Sequence, residues 1–336
     1  MIALWALTVC GFTALALRIA RRPLAPTLSS AKVLLVRPVD TPSELEQLAL
    51  RCSVARPNTR VILATPSEGS HPSCGNRKVG HVLFGAAQAE PGEIVISADA
   101  DVLVDDALLS ALAAAIEQGA DIAVAPPRTV GGKGLAAWCL SGAIDQTPLA
   151  FRVQLALGGK RPKICGKAIA FSAKGLSALH EVRDVLAEDL ALGEKPLKVS
   201  VVETWARMLG AREKTVKGVA ERLARWMTAL RTRRPLAFFS VPFFIAPTLP
   251  LVAVAAFLRD DFTSACVVVL VGLRALLAHA LVRERPFGWV LGEVTLLAAW
   301  SRALITRKIV WRGRRLVLQK GGTIANGVQG MYRVMS

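Results

Sequence analysis

Asp99 and Asp101 stand at the end of the stretch I-V-I-S-A-D-A-D that runs from Ile94 to Asp101, after the turn pair Pro91 and Gly92. Ile94, Val95 and Ile96 are β-branched and uncharged, which suits a strand buried on both faces of a parallel sheet. Open α/β sheets hold their ligands at the carboxyl ends of such strands. Two carboxylates emerging there can hold a divalent cation that bridges the phosphates of a nucleotide, the arrangement a nucleotide-sugar transferase needs. The plain alternative is a solvated acidic turn, because D-x-D alone is a weak signal.

Two further patches carry suitable chemistry. Glu188 and Asp189 precede the helical residues Leu190 to Leu192. Such a pair can merely favour a helix N-terminus. It also falls far enough after the D-x-D for an intervening acceptor floor, and inverting sugar transfer requires one carboxylate to take the proton of the acceptor hydroxyl. Asp189 is the candidate base, with Glu188 beside it. The third patch is R-L-A-R-W, Arg222 to Trp226, followed by Arg231, Arg233, Arg234 and Pro235. On a helix Arg222 and Arg225 share a face, so both guanidiniums can reach one diphosphate, while Trp226 suits a bilayer boundary. A juxtamembrane basic stretch that orients the chain is the other reading, and the two are compatible.

Composition sets where these patches must work. The 336 residues are 53% hydrophobic and 20% charged, with a mean hydropathy of +0.43, too apolar for a pair of ordinary soluble domains. The formal net charge of +17 comes from Lys and Arg grouped beside apolar segments, which points to an anionic membrane surface and not to nucleic acid. The six cysteines form no C-x-x-C pair and the four histidines are dispersed, so no disulfide framework or zinc set is indicated, and a reduced, cytoplasm-facing domain fits. His71, His81, His180 and His279, like Lys32, Arg37, Lys133, Lys160 and Lys163, are assigned no role beyond a solvated or lipid-facing surface.

The elements that position the three patches follow in order. Residues 1–22 read as a retained N-terminal anchor, apolar from Ile2 to Leu17 with Arg18, Arg21 and Arg22 at its cytoplasmic end. Pro23 to Ser30 is a linker, and residues 30–235 form the catalytic domain. Lys32 to Val36 and Arg60 to Thr65 are strands, Thr41 to Cys52 and Val82 to Gln88 helical, Ala107 to Gln118 a helix and Asp121 to Ala125 a strand. This alternation predicts one α/β domain with a mostly parallel sheet. Residues 236–336 form a membrane region with three apolar segments, Leu236 to Leu258, Thr263 to Val282 and Phe287 to Ile305, each near the length that crosses a hydrocarbon core of about 30 Å. The basic tail opposes three full crossings. Two crossings joined by Arg259-Asp260-Asp261, then an in-plane helix, satisfy it. Alternatively Pro242, Pro247 and Pro250 bend the first segment into a re-entrant hairpin.

Taken together, S-A-D-A-D-V (Ser97 to Val102), A-E-D-L (Ala187 to Leu190) and R-L-A-R-W resemble, in order and spacing, the D-x-D, third-aspartate and (Q/R)-x-x-R-W motifs of the ceramide glucosyltransferase family, glycosyltransferase family 21, with its bacterial and hopanoid-glycosylating relatives. G-N-R-K-V at Gly75 to Val79 is similar to the family's N-P-K-V, and C-G-K-A-I-A-F at Cys165 to Phe171 to its T-G-M/K-S stretch. W-R-G-R-R-L at Trp311 to Leu316, with Gly321-Gly322-Thr323, is similar to its ending. The resemblance implies a GT-A-type, Rossmann-like domain on the cytoplasmic face, a bacterial inner membrane setting, a UDP-sugar donor, Mg²⁺ or Mn²⁺ and a membrane lipid acceptor such as ceramide or a hopanoid polyol. It implies that Asp99 and Asp101 serve metal and donor phosphate, that Lys78 lies near the donor, that Asp189 is the base, and that Arg222, Arg225 and Trp226 grip the diphosphate. The lipid would enter sideways past interfacial helices carrying Trp226, Trp300 and Trp311. One departure stands out: the family's aspartate after the second strand is missing from Val61 to Pro72, where Glu68 is the only carboxylate, so Glu68 or backbone groups take that contact or the base preference differs.

Overall fold

The computed structural model describes residues 1–20, 29–39, 52–65, 74–156, 164–209, 215–281, 287–306, 308–311, 314–319 and 321–324. Residues 41–51 of the expected second helix, the linker at 23–28, Glu68, Lys160 and Lys163 lie outside them.

The region between the apolar segments is a mixed α/β unit whose main sheet is rich in parallel pairs. Strand β1 (Lys32–Pro38) is buried along nearly its whole length, as its K-V-L-L-V-R-P sequence requires of a central strand. It pairs in parallel with β3 (Thr59–Ala64) on one side and β4 (Glu93–Ala98) on the other. The order continues through β8 (Ala168–Phe171) and β6 (Ile122–Val124) to β9 (Val199–Val201), making six strands. β8 runs antiparallel to both its neighbours. The D-x-D strand is thus inserted between a parallel and an antiparallel partner, and its last four residues are buried. A second, four-stranded sheet orders β2 (Cys52–Ser53), β5 (Val102–Asp105), β10 (Ala206–Leu209) and β7 (Pro127–Val130). Cys52, expected to close a helix, opens the first of these strands. A purely alternating pattern did not anticipate this sheet, because its strands have two to four residues, too short for a periodicity signal.

Helix α1 is Ile2–Ala20, and α2 (Arg77–Ala86) begins earlier than the apolar run suggests because Asn76 caps it, accepting from the backbone of Lys78 and Val79. Helix α3 (Asp106–Glu117) is capped by Asp105. Helices α4 (Leu135–Ala156), α5 (Ala173–Glu181), the short α6 (Glu188–Leu192) and α7 (Val216–Arg233) follow. Two of the residues expected at a solvated surface are instead interior. Arg37 is fully buried at the end of β1 and donates to the carbonyls of Val102 (3.0 Å) and Ala100 (3.5 Å), bracing the D-x-D turn from below. His81 is fully buried in α2.

Among the described residues two helices are long and apolar enough to cross a membrane, α1 and residues Asp261–Ala280 of α10 (Asp261–Leu281). They pack against each other through small and aliphatic side chains, including Ala16, Leu17 and Leu277. The first C-terminal segment is not one straight crossing. Helix α8 (Pro235–Ser240) and the π-helical turn Val241–Ile245 are set at 66° to α9 (Thr248–Leu258). Pro242 and Pro247 flank the break, as proline's missing N–H and steric bulk would have it. At the break Glu293 accepts from both the backbone and the hydroxyl of Thr248, at 3.1 and 3.0 Å, and pairs with Arg274 at 3.1 Å.

Helix α11 (Gly288–Ile305) lies against α4 and α7. Its approach to α4 is so close that a Cβ on Gly292 would stand 2.1 Å from the Gly142 carbonyl carbon, and one on Gly142 would stand 1.9 Å from the Gly288 oxygen. Trp300 stacks on Phe238 with centroids 5.5 Å apart and donates to its carbonyl. Trp311, expected on an interfacial helix, lies in strand β11 (Lys308–Trp311), which pairs with β12 (Arg314–Val317).

Candidate active site

The three sequence patches meet at the carboxyl end of β4. Asp99 follows the strand directly, and its N–H donates to the carbonyl of Lys167, extending the antiparallel ladder with β8 by one pair. The next turn returns the chain through Asp101 into β5. α2 brings Lys78 from its first turn, α6 brings Glu188 and Asp189 from its own, and α7 brings Arg222.

These groups form a chain of alternating charge. Arg222 Nη2 lies 3.2 Å from Asp101 Oδ2. Lys167 Nζ lies 2.9 Å from Asp101 Oδ2 and 3.0 Å from Asp101 Oδ1 and from Asp99 Oδ2. Lys78 Nζ then bridges Asp99 Oδ1 and Glu188 Oε1, at 2.9 Å each, and donates to the Gly166 carbonyl at 2.6 Å. Asn76 completes the far end, donating to Glu188 Oε2 at 3.1 Å. Asp189, adjacent to Glu188, accepts from Gly166 N at 3.2 Å and Leu190 N at 2.8 Å.

Gly166 therefore touches two of the charged groups through its backbone alone. A Cβ there would stand 3.1 Å from Lys78 Nζ and 3.2 Å from Glu188 Oε1, so a glycine is what permits the close approach.

Electrostatics separate the carboxylates into two kinds. Burial favours the neutral form of Asp101, but Lys167 and then Arg222 outweigh it and hold the carboxyl well below its usual range. Burial, reinforced by the neighbouring charge of Glu188, instead pushes Asp189 up to about 6, against the opposing pull of Lys78 and the two backbone donors. A carboxylate of that basicity can accept a proton near neutrality. Burial disfavours the ammonium of Lys78, yet Asp99 and Glu188 hold it well above its ordinary value, so it is a permanent cation. Cys165, next in the chain, has its thiol pushed up to about 12, first by burial and then by Asp189, which leaves it no nucleophilic role.

Every expected catalytic, diphosphate and metal residue is among those described; Glu68, offered for the nucleoside contact, is not. Asp99, Asp101, Lys78, Glu188 and Arg222 are joined directly, and Asp189 is joined through Gly166. Trp226 is part exposed one turn beyond Arg222, whose guanidinium lies 5.3 Å from its ring centroid. Arg225 is on the same helix, three residues after Arg222, and half-buried. Two members were missed. Asn76 has the N-cap position in G-N-R-K-V as its signal. Lys167 stands in C-G-K-A-I-A-F, where a cation following glycine and opening an apolar strand could have been flagged.

The family model described as "Glycosyl transferase family 21" matches residues 57–324. The chain belongs to glycosyltransferase family 21. It is thus a glycosyltransferase, in a family that includes ceramide glucosyltransferases. The matched span runs from β3 through the paired segment at Gly322 and Thr323, so it takes in the whole charge chain. No curated protein matches the transferase.

Proposed function

We propose that this transferase moves a hexose from a UDP-sugar to the hydroxyl of a membrane lipid such as ceramide or a hopanoid, with inversion at the anomeric carbon, on a GT-A-type domain at the cytoplasmic face of a bacterial inner membrane. The observation that carries the reading is the alternating chain Arg222, Asp101, Lys167, Asp99, Lys78, Glu188, which ends beside Asp189, a carboxylate raised toward neutral pH.

The reaction asks three things of these residues. Asp189 takes the proton of the acceptor hydroxyl as its oxygen attacks the anomeric carbon. The bond from that carbon to the diphosphate oxygen breaks, and the electron pair leaves with the nucleoside diphosphate. Lys78, Lys167, Arg222 and Arg225 are the cations that meet the growing charge. Asp99 and Asp101 offer hard oxygen ligands of the kind Mg²⁺ or Mn²⁺ takes. Among the described residues no group of three or more His, Cys, Asp or Glu is placed to cage a metal, so the two aspartates suit a cation shared with a diphosphate. Such an ion would supply Lewis acidity at the leaving group.

The acceptor side is consistent with a lipid. Phe239, Phe243 and Phe244 on α8 and the turn after it are exposed, as are Leu236 and Trp226. An apolar, aromatic rim of this kind suits the headgroup boundary. The test is to incubate membranes containing the protein with labelled UDP-glucose, UDP-galactose and GDP-mannose and to extract lipids. Labelled glycolipid from a UDP-hexose is the expected result. Asp189→Asn should abolish it while leaving UDP affinity within about threefold, since on this reading Asp189 serves the acceptor hydroxyl and not the diphosphate. Retained turnover in that variant would refute the base assignment.

A further inference from the structure

Lys167 occupies a position that a metal-assisted transferase would be expected to leave to its metal. Its backbone is opposed to Asp99 across the β4–β8 ladder, where the Ala98 and Ala168 pairing continues into the hydrogen bond from Asp99 N to Lys167 O at 2.9 Å. Directly opposed residues of an antiparallel pair project to the same face, so the ladder itself delivers the lysine side chain to the aspartates. Its ammonium then contacts both of them, and it is only 12% exposed.

The consequence lies in the oxygen accounting. Asp99 Oδ1 is engaged by Lys78 and Oδ2 by Lys167, while Asp101 Oδ1 is engaged by Lys167 and Oδ2 by Lys167 and Arg222. All four carboxylate oxygens are therefore already neutralised by cations of the chain. A Mg²⁺ or Mn²⁺ ion binds carboxylate oxygens at about 2.1 Å. Each oxygen keeps a second lone pair, but a divalent cation on both aspartates would stand against the Lys167 ammonium that contacts both of them, so like-charge repulsion sets lysine and metal in competition. A displaced ammonium in a site this enclosed needs a new acceptor, and a diphosphate supplies several.

Net charge gives the same answer. Asp99, Asp101 and Glu188 balance Lys78, Lys167 and Arg222 in the linked cluster. A divalent cation alone would unbalance it in one direction and a diphosphate alone in the other, whereas the two together largely offset one another.

We propose that Lys167 is an internal counter-ion that withholds Asp99 and Asp101 from a divalent cation until a nucleoside diphosphate draws its ammonium away, so that metal and nucleotide bind as a coupled pair. The inference rests on the donor and metal reading given above. Coupling is reciprocal: the factor by which UDP tightens the metal is the factor by which the metal tightens UDP.

The test titrates Mn²⁺ into the detergent-purified full chain, following free Mn²⁺ by electron paramagnetic resonance, with no nucleotide, with UDP and with GDP. Wild type should bind Mn²⁺ weakly alone and about tenfold or more tighter with UDP. Lys167→Met should bind Mn²⁺ alone about tenfold tighter than wild type, and UDP should add little to it. Lys167→Arg, which keeps the cation, should remain weak without nucleotide, and it tests the inference should the methionine variant fail to fold. UDP tightening Mn²⁺ equally in wild type and Lys167→Met, with equal affinities in its absence, overturns the inference and leaves the donor reading intact. Mn²⁺ affinity indifferent to both UDP and GDP in wild type overturns both, even if Lys167→Met binds the ion more tightly.

Discussion

The raised basicity of Asp189 makes a quantitative prediction about pH. A carboxyl with a pKa of about 6 is mostly ionised at pH 7 and loses its ionised fraction roughly tenfold per pH unit below 6. If Asp189 accepts the hydroxyl proton, kcat/KM at pH 5 should be roughly a tenth of its plateau above pH 7. Glu188 is the second cause of the rise, after burial. Glu188→Gln keeps the shape and one acceptor oxygen, giving up one of the two contacts with Asn76 and Lys78, and removes the like charge, so the acid limb should move to lower pH. The same shift has a stability consequence of the opposite sense. Because the folded value exceeds the ordinary 3.8, the stabilising contribution is fully present below about 3.8 and is lost as pH rises through 6. At pH 7 the ionised Asp189 is therefore destabilising, and Asp189→Asn should raise Tm at pH 7 with little effect at pH 4. The assay is initial-rate glycolipid synthesis in detergent between pH 5 and 8.5 at saturating Mn²⁺, paired with thermal unfolding. A flat profile across that range, or an unchanged limb in Glu188→Gln, would refute the assignment of the proton to Asp189.

Other consequences are more local. Asp101→Asn removes the carboxylate that Lys167 and Arg222 share, and kcat should fall by about a hundredfold or more, with unchanged far-ultraviolet circular dichroism excluding misfolding. Gly292→Val places side-chain atoms against the backbone of Gly142, which cannot give way; roughly 1–3 kcal/mol of stability should be lost, seen as a lower Tm in detergent. Glu293→Ala breaks the buried pair with Arg274 and uncaps Thr248 at the bend, and a loss of about 3 kcal/mol or more is expected, again read by thermal unfolding.

How far the sequence reveals the site depends on which force places each residue. Asp99, Asp101, Glu188 and Asp189 are legible because each sits at an element boundary that hydrophobic patterning marks: a buried strand ending, a helix starting. Arg222 is legible because its helix runs into an obvious apolar segment. Lys167 and Asn76 are not, because their roles come from contacts between distant strands and loops. Asn76 lies 112 positions from Glu188, and no local pattern encodes that pairing. The same holds for Arg37, which composition assigns to the surface although its guanidinium is buried under the D-x-D turn. The broken first membrane segment was one of two readings open to the sequence. Its prolines gave the possibility, and the capping of Thr248 by Glu293, a contact across 45 positions, fixes the bend.

Helix α7 links the charge cluster to the C-terminal apolar helices by physical contact. Near its middle Arg222 holds Asp101. At its end Arg231 donates to the carbonyls of Leu304 and Thr306, where α11 stops, and Arg233 pairs with Glu194 and donates to Gly321. Arg234, immediately after the helix, donates to the Leu190 carbonyl in α6, one residue after Asp189. The segment at Gly322 to Ile324 in turn pairs with Asp184 to Leu186, the approach to Glu188. A displacement of α11 against the catalytic region would therefore reach Asp101 through α7 and Asp189 through α6. This explains why α11 is fastened to α4 by glycine contacts that admit no side chain. Reaction geometry must hold to a fraction of an ångström, so, on the proposed reading, a rigid seam between these helices and the α/β unit would keep Asp189 and the cations of the cluster in register with an acceptor held in the bilayer.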